Sequence, residues 1–238
     1  MIAFSIETLT SIAEHAARES PLECCGLIIV RNGKEVYWPC RNLATKAARF
    51  HMHHEDSSAA EDAGDVLAIV HSHVHEDPTP SQSDLVACEE SGLPWVIMSF
   101  PTLTHHIFAP TGYVAPLVSR VFAYGVLDCY SLCRDYYLRE CGIVLPPVEH
   151  REDWWLEGQD LYLEHFTAQG FVQIEEHELR KHDAILMQVS KTTTNHAAIY
   201  LGDGLILHHM MNRLSGREVY GGLYQKIANV FLRHRKLA

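Results

Sequence analysis

Residues 66–84 of this 238-residue chain have the sequence VLAIVHSHVHEDPTPSQSD. The first six residues form a short, β-branched run that predicts a strand. Residues two apart on a strand project to the same face, so the imidazoles of His71 and His73 can reach one ion. After a proline-rich loop, Asp84 adds a carboxylate. Two histidines, one carboxylate and an open fourth position are typical of a catalytic zinc site, because structural zinc sites usually close with a fourth protein ligand.

One further residue belongs to this hypothesis. Zinc lowers the pKa of a bound water, and Glu23, at the head of the first predicted strand, is the candidate base that takes its proton and returns it to a leaving amine. A second interpretation of the segment after Pro80 stays open beside the first. Ser81 followed three residues later by Asp84 is also typical of a helix N-terminus, where serine caps and the helix dipole favours aspartate. The two interpretations are compatible.

The residues around this segment predict one domain of about 110 residues, within the usual size range. Helical spacing over 6–16 predicts an opening helix that ends before Pro21, and Asn32-Gly33 predicts the tight turn of a β-hairpin. The other predicted elements are hairpin strands at Cys24–Val30 and Glu35–Trp38, helices at Asp56–Asp65 and Ser81–Glu90, and strands at Trp95–Phe100 and His105–Ala109. This interleaving favours an α/β or α+β unit.

A connection punctuated by proline and glycine, Pro110 to Pro116, divides the chain into two predicted domains, 1–112 and 113–238. The second domain has a different order of predicted helices and strands. Helices are predicted at Asp128–Cys141 and Asp160–Ala168, and strands at Ala184–Val189, Ala197–Leu201, Leu205–His209 and Val230–His234. A helix followed by an antiparallel sheet predicts a compact α+β domain.

A second reactive group is predicted in this half. Cys129 opens the first predicted helix, where a helix N-terminus stabilises the thiolate and lowers the pKa of a thiol. His196 heads one predicted strand and His208 lies on the next, so antiparallel pairing brings both imidazoles together. These three residues predict a triad in which His208 orients His196. A one-residue change of register would put His209 in place of His208, and a plain buried cysteine is the alternative for Cys129.

Composition excludes several classes of function. Thirty acidic against nineteen basic side chains give a net charge of −11, which repels phosphate backbones and argues against nucleic acid as a partner. The N-terminus lacks the basic start and apolar core of a secretory signal, so we expect synthesis in the cytoplasm. Residues 91–119 carry no Asp, Glu, Lys or Arg, but four prolines interrupt any helix there, so no membrane span is expected. Seven cysteines, an odd number, argue against a complete disulfide framework.

The first half resembles the JAMM (MPN-type) metalloproteases. The resemblance lies in Glu23, His71-x-His73, Ser81 and Asp84 at their spacing, and in Pro21-x-Glu23-x-Cys25-Gly26, which is similar to that family's opening strand. It covers residues 1–110 and implies a cytidine-deaminase-like α/β/α fold. It also implies Zn²⁺ bound by His71, His73 and Asp84, Glu23 as general base and Ser81 as the group that stabilises the oxyanion. Val74 stands where many members have proline.

The second half resembles the NlpC-type, papain-like cysteine peptidases. The matching stretches are residues 128–132 (DCYSL), 195–202 (NHAAIYLG) and 206–208 (ILH), and Tyr124 lies near the position of that family's active-site tyrosine. Most relatives hydrolyse amide bonds of bacterial cell-wall peptides. Tyr130 stands where serine usually follows the nucleophile, and Lys181-His182-Asp183 replaces the usual Pro-Gly-Asp turn.

The order of the two halves resembles the tail tip assembly proteins of lambda-like tailed phages, as do the stretches Asp153-Trp154-Trp155, Leu207-His208-His209 and Tyr220-Gly221-Gly222. The resemblance implies phage tail tip proteins as partners and a peptidoglycan peptide or a protein as substrate. It places the chain in the host cytoplasm during assembly or at the virion tail tip. The alternative is a non-catalytic assembly factor that uses both folds for binding, because a fold does not establish a function.

Overall fold

A computed structural model describes residues 2–148, 154–189 and 193–238. The chain forms two compact units, Met1–Val114 and Ala115–Ala238. Asp153 of the Asp153-Trp154-Trp155 stretch lies outside the described residues. Among the described residues, no helix combines the length and the hydrophobicity that crossing a bilayer requires.

The first unit is built on one five-stranded sheet. Its elements are α1 (Ile6–Glu19), β1 (Cys25–Arg31), β2 (Lys34–Cys40), α2 (His54–Ala63), β3 (Asp65–Val74), α3 (Gln82–Ser91), β4 (Trp95–Phe100) and β5 (His105–Phe108). The strand order is β2-β1-β3-β4-β5. The β3–β4 pair is parallel and the other three pairs are antiparallel. Each helix and strand predicted for this half is confirmed, with bounds that differ by a few residues.

Local sequence explains where these elements begin and turn. Ser5 caps α1, because its side chain accepts a hydrogen bond from the Thr8 amide at 3.2 Å. Asn32 and Gly33 have φ angles of 53° and 73°, the left-handed values that a two-residue hairpin turn requires. Arg31 therefore pairs directly with Lys34 across the turn.

The sheet of the first unit is covered on both faces. On one face Ile12 and Ala16 of α1 pack against apolar residues of β1, β3 and β4. On the other face Ala60 of α2 packs against Leu27 and Ile29 of β1. A sheet between helices confirms the predicted α/β/α arrangement. The β3 side chains at 69, 71 and 73 project to the α2 face, because alternate residues of a strand share a face.

The second unit carries a six-stranded sheet. Its elements are α4 (Cys129–Cys141), α5 (Leu161–His165), β6 (Phe171–Ile174), β7 (Ala184–Met187), β8 (His196–Gly202), β9 (Leu205–His208), β10 (Gly216–Val219), α6 (Leu223–Ile227) and β11 (Ala228–His234). The strand order is β10-β9-β8-β7-β11-β6, and every pair is antiparallel. This confirms the predicted α+β class. The core lies between α4 and the sheet, where Leu132 and Tyr137 pack with Ile199 and Leu207.

One sequence-based expectation for this unit needs correction, and three of its elements were not expected. The helix predicted over Asp160–Ala168 is shorter in the structure and spans only α5. The chain forms a turn after His165, and this turn ends at Gly170, whose φ is 91°. Strands β6 and β10 and helix α6 were not predicted. They span four or five residues each, too few for a hydrophobic period to be visible.

Candidate active sites

Three potential metal ligands converge in the first unit. The Nε2 atoms of His71 and His73 lie 3.2 Å apart, Asp84 Oδ1 lies 3.4 Å from His71 Nε2, and Asp84 Oδ2 lies 3.5 Å from His73 Nε2. Zinc–nitrogen bonds of about 2.0–2.1 Å place two ligands of a tetrahedral ion about 3.3 Å apart. The two imidazole nitrogens have this spacing, and each faces one oxygen of the Asp84 carboxylate at a similar distance, so two nitrogens and a carboxylate are placed as zinc ligands would be. In the part of the chain that the structure describes, this is the one cluster of three or more such ligands.

The surroundings hold the two imidazoles in place. His73 Nδ1 lies 2.8 Å from the Asp77 carbonyl oxygen, the kind of outer hydrogen bond that orients a metal-binding histidine. The ring of His71 is stacked on Phe50, with centroids 4.7 Å apart and planes at 20°, and meets Trp95 edge-on at 5.5 Å. Stacking therefore fixes the ring of His71, whose buried Nδ1 has no hydrogen-bond partner among the described residues.

The charges of these groups suit a cation. Burial lowers the pKa of His71 to about 4, which keeps this imidazole neutral. Burial also acts on His73, but the Asp84 carboxylate outweighs it and raises the pKa of His73 to about 9. For Asp84, burial opposes ionisation, yet the two imidazoles hold its pKa at about 2. An anionic Asp84 thus faces a protonated His73, and a bound cation would take the place of that proton.

Glu23 lies at the edge of this cluster. Its side chain is 4% exposed, and burial raises the pKa of its carboxyl group to about 8, while the charge of His73 lowers it and that of Asp84 raises it. A carboxyl group that titrates near neutral pH can both accept and return a proton. Its backbone carbonyl accepts a hydrogen bond from the Asn42 side chain at 2.9 Å, which anchors the loop before β1.

Ser81 is exposed and caps α3. Its Oγ accepts a hydrogen bond from the Asp84 amide at 3.2 Å, and its own amide donates to Asp84 Oδ2 at 2.7 Å. The capping interpretation of this segment is therefore confirmed. The same geometry places the Ser81 hydroxyl next to Asp84, a candidate metal ligand, and a role of Ser81 in stabilising an oxyanion stays a prediction.

In the second unit, Cys129 is the first residue of α4. The preceding Asp128 caps the helix, because its Oδ1 accepts from the Ser131 amide at 2.9 Å. Cys129 Sγ lies 3.2 Å from the hydroxyl oxygen of Tyr162, and the backbone amide of Ala197 also donates towards this sulfur. Ala197 directly follows His196, so strand β8 reaches the thiol.

The expected low pKa of this thiol is wrong for the resting structure. Burial raises the pKa of Cys129 to about 11, and the adjacent Asp128 carboxylate adds to the rise. The hydrogen bonds from Tyr162 and Ala197 act in the opposite direction but do not outweigh burial. Burial also lowers the pKa of His196 to about 3. The resting pair is therefore a neutral thiol and a neutral imidazole.

The structure brings His208, not His209, to His196. His196 Nε2 and His208 Nδ1 lie 3.1 Å apart, and the rings meet at 73°. Ala198 pairs with His208 across β8 and β9, so His196, two residues before Ala198, is the diagonal neighbour of His208 on the same face of the sheet. The His209 ring packs instead against Phe122, with ring centroids 5.0 Å apart.

A cavity of about 130 Å³ lies beside the candidate nucleophile and its base. Cys129, His196 and His209 line it together with Tyr124, the tyrosine singled out from the sequence. Most of the remaining wall is apolar, and it includes the aromatic rings of Phe122, Trp154, Trp155, Tyr162 and Phe166. The thiol and the imidazole of His196 thus open onto one largely apolar space.

Two contacts at this site were missed from the sequence. Tyr162 reaches the sulfur from α5, and Glu218 Oε1 lies 3.4 Å from His208 Nε2 on the side away from His196. Tyr162 lay in a predicted helix but carried no motif. Glu218 lies on β10, a strand that the sequence pattern did not indicate.

Together the fold and the two sites define a two-domain protein with a JAB-type unit followed by an NlpC/P60-type unit. Residues 5–108 match the family of prokaryotic homologs of the JAB domain, and residues 119–233 match the NlpC/P60 family. The chain belongs to the family of Tail tip assembly protein K.

Two relatives and one solved structure describe this similarity. The chain is 36% identical to Tail tip assembly protein K of Escherichia phage N15 over 96% of this chain and 95% of the relative. It is 39% identical to Tail tip assembly protein K of Escherichia phage lambda over 77% of this chain and 89% of the relative. A protein from Desulfitobacterium hafniense, solved in solution, has a TM-score of 0.38 at 26% identity, covering 45% of this chain and 81% of that chain.

Proposed function

We propose that the chain acts in phage tail tip assembly and carries two hydrolase centres. The first unit is a zinc-dependent peptidase or isopeptidase, and the second is a cysteine endopeptidase that acts on peptidoglycan peptides during assembly or host entry. The names of the relatives support the assembly role. The observation that carries the catalytic role is that reactive side chains from different elements converge in each unit. His71, His73 and Asp84 come together in the first, and Cys129 and His196 line one cavity in the second.

In the first unit, His71, His73 and Asp84 would hold the ion. When bound, zinc supplies a Lewis acid that polarises a carbonyl group and makes water a better nucleophile. Glu23 accepts the proton of the attacking water and passes it to the leaving amine, a role that its raised pKa supports. The Ser81 hydroxyl donates a hydrogen bond to the oxyanion of the tetrahedral intermediate.

In the second unit, His196 takes the proton of the Cys129 thiol. The thiolate sulfur then bonds to the scissile carbonyl carbon, the carbon–nitrogen bond breaks, and the amine leaves with the proton held by His196. Water hydrolyses the thioester and restores the thiol. His208 stabilises the imidazolium of His196 from behind.

A non-catalytic assembly factor is the second candidate. The specific observation in its favour is the resting state of Cys129, whose pKa burial raises to about 11 and whose sulfur contacts the Tyr162 hydroxyl. In that case both folds bind tail proteins and no thiolate forms. Addition of a peptidoglycan peptide would then leave the alkylation rate of Cys129 unchanged.

One experiment tests both centres. Purified wild-type protein, Cys129→Ala and His71→Ala are compared by metal analysis and by cleavage of peptidoglycan peptides. We expect Cys129→Ala to abolish peptide cleavage and keep zinc, and His71→Ala to lose zinc and keep cleavage. Matched controls are Cys141→Ala, the other partly exposed thiol, and His105→Ala on the exposed strand β5. Equal cleavage by wild type and Cys129→Ala would refute the thiol peptidase, and absence of zinc from wild type would refute the metal centre.

A further inference from the structure

His208 uses both of its ring nitrogens. Nδ1 lies 3.1 Å from His196 Nε2, and Nε2 lies 3.4 Å from Glu218 Oε1. A neutral imidazole has one N–H donor and one acceptor nitrogen, so the partner of one nitrogen decides the role of the other. The protonation of the His196–His208 pair is therefore determined by what faces His208 Nε2.

The sheet explains how Glu218 reaches this position. Across β9 and β10, His208 pairs with Gly216 and Ile206 pairs with Glu218. Glu218 is thus the diagonal neighbour of His208 on the same face. Gly216 has no side chain, so nothing directly opposite His208 stands between the imidazole and the carboxylate.

Other groups hold the carboxylate in place. Glu218 Oε2 accepts a hydrogen bond from the Tyr224 hydroxyl at 2.6 Å, and Arg213 Nη1 lies 3.6 Å from Oε1. The Tyr224 ring also meets the His208 ring edge-on, with centroids 4.7 Å apart. The charged or titratable groups that face His208 are therefore His196 from β8, Glu218 from β10, Tyr224 from α6 and Arg213 from the loop before β10.

We propose that Glu218 is a positioning residue that fixes the tautomers of both histidines. An ionised carboxylate only accepts hydrogen bonds, so His208 carries its proton on Nε2 and offers Nδ1 as an acceptor. His196 must then carry its proton on Nε2. Its Nδ1 is left as the lone pair that can take the proton of Cys129, which lines the same cavity.

Without the carboxylate, the proton of each histidine would move to its other ring nitrogen. Arg213 and the Tyr224 hydroxyl, which contact Glu218, would then be left facing that side of His208, and both can donate. His208 would then carry its proton on Nδ1, His196 would accept at Nε2, and the proton of His196 would move to Nδ1. An imidazole protonated at Nδ1 has no lone pair to offer the thiol. The proposal rests on the proposed thiol peptidase but concerns proton positions that are measured without a substrate.

The test compares wild type, Glu218→Ala and Glu218→Gln in the full chain. Nitrogen-15 NMR of labelled histidines reports each tautomer, with signals assigned from His196→Gln and His208→Gln. Mass spectrometry follows the alkylation of Cys129 by iodoacetamide from pH 6 to 9. Glu140→Gln, an exposed carboxylate near the end of α4, is the matched control.

We expect Glu218→Ala to move the His208 proton from Nε2 to Nδ1 and to slow Cys129 alkylation roughly 10- to 100-fold, the effect typical of losing an outer group that orients a functional imidazole. Glu218→Gln keeps an acceptor oxygen without the charge, so its decrease should be smaller. Glu140→Gln should behave as wild type.

Wild-type tautomers and alkylation rates in Glu218→Ala would overturn the proposal. If circular dichroism shows that Glu218→Ala is unfolded, the same comparison with Glu218→Gln decides the question. Failure of the peptidase is a separate result: a wild-type chain that cleaves no peptide but shows Glu218-dependent tautomers overturns the proposed function and leaves the role of Glu218 standing.

Discussion

Ser81 and Asp84 are joined by two reciprocal hydrogen bonds, from the Asp84 amide to Ser81 Oγ at 3.2 Å and from the Ser81 amide to Asp84 Oδ2 at 2.7 Å. The same carboxylate lies 3.4 and 3.5 Å from the two imidazoles of the candidate metal centre. The helix cap thus restricts the rotamer of a candidate metal ligand. A side chain held in this way loses less freedom when an ion binds.

Ser81→Ala separates the two roles of this serine. Loss of the cap should lower the free energy of unfolding by about 1 kcal/mol, measured by urea denaturation. Zinc content should be retained, because the backbone amide of Ser81 still holds Asp84. If Ser81 also stabilises an oxyanion, peptidase activity of the zinc-loaded protein should fall roughly 10²-fold or more. Ser57→Ala on α2 is the control, and unchanged activity in Ser81→Ala would leave only the capping role.

The clustering of the candidate metal ligands could be predicted from the sequence because much of their geometry is local. His71 and His73 are two apart on a strand, and Ser81 with Asp84 forms a helix start, so short-range rules place the residues within each pair. The hairpin at Asn32-Gly33 was predictable for the same reason.

Features that depend on tertiary packing were not predictable. Glu218 approaches His208 through a strand of only four residues, and Tyr162 reaches Cys129 from a helix of five. The direction of the Cys129 pKa was predicted wrongly, because a helix N-terminus is visible in sequence whereas the burial that outweighs it is not. Charge and turn chemistry are local, but desolvation is a property of the folded unit.

Tyr162→Phe tests the contact with the thiol. The Tyr162 hydroxyl lies 3.2 Å from Cys129 Sγ, and its hydrogen bond lowers the pKa of the thiol against the effect of burial. Loss of a hydrogen bond to a charged group costs about 1.5–3 kcal/mol. We therefore expect Cys129 to be alkylated roughly tenfold more slowly, or slower still, at pH 8, as measured by mass spectrometry. Tyr130→Phe, which removes a nearby hydroxyl that bonds to the Pro146 carbonyl, is the control. Faster alkylation of Tyr162→Phe would show instead that the hydroxyl shields the sulfur.

Substitutions of His182 test how the chain tolerates a residue other than glycine in the turn that departs from the NlpC-type pattern. It occupies the glycine position of the Pro-Gly-Asp turn and has a φ of 79°, a conformation that costs a residue with a Cβ roughly 1–2 kcal/mol. Its ring lies 2.8 Å from the Tyr136 hydroxyl, which offsets part of that cost. His182→Ala keeps the strain and loses the contact, whereas His182→Gly loses both. Urea denaturation should therefore show that His182→Ala is less stable than His182→Gly by about 1 kcal/mol. Equal stability of the two variants would contradict this account of the turn.

The buried histidine pair makes the second unit sensitive to acid. Burial lowers the pKa of His196 to about 3, whereas an unfolded chain titrates near 6.5. Between these values the unfolded state binds a proton that the folded state does not, so stability falls as pH decreases below about 6.5. The contribution of one such group is at most about 1.4 kcal/mol per pH unit. His208, whose pKa burial also lowers, adds to the same trend.

His196→Gln removes one of the two imidazoles that gain a proton when the chain unfolds in acid. We expect its free energy of unfolding, measured by urea denaturation at pH 7.5, 6.0 and 5.0, to fall less steeply with acid than that of wild type, whatever its stability at pH 7.5. His177→Gln, an exposed histidine of the same unit, should keep the wild-type dependence. The comparison is one of slopes, because loss of the His208 contact lowers the stability of the variant at every pH. A wild-type slope in His196→Gln would mean that this imidazole is already protonated in the folded protein, and the neutral base required by the proposed thiol chemistry would then be absent.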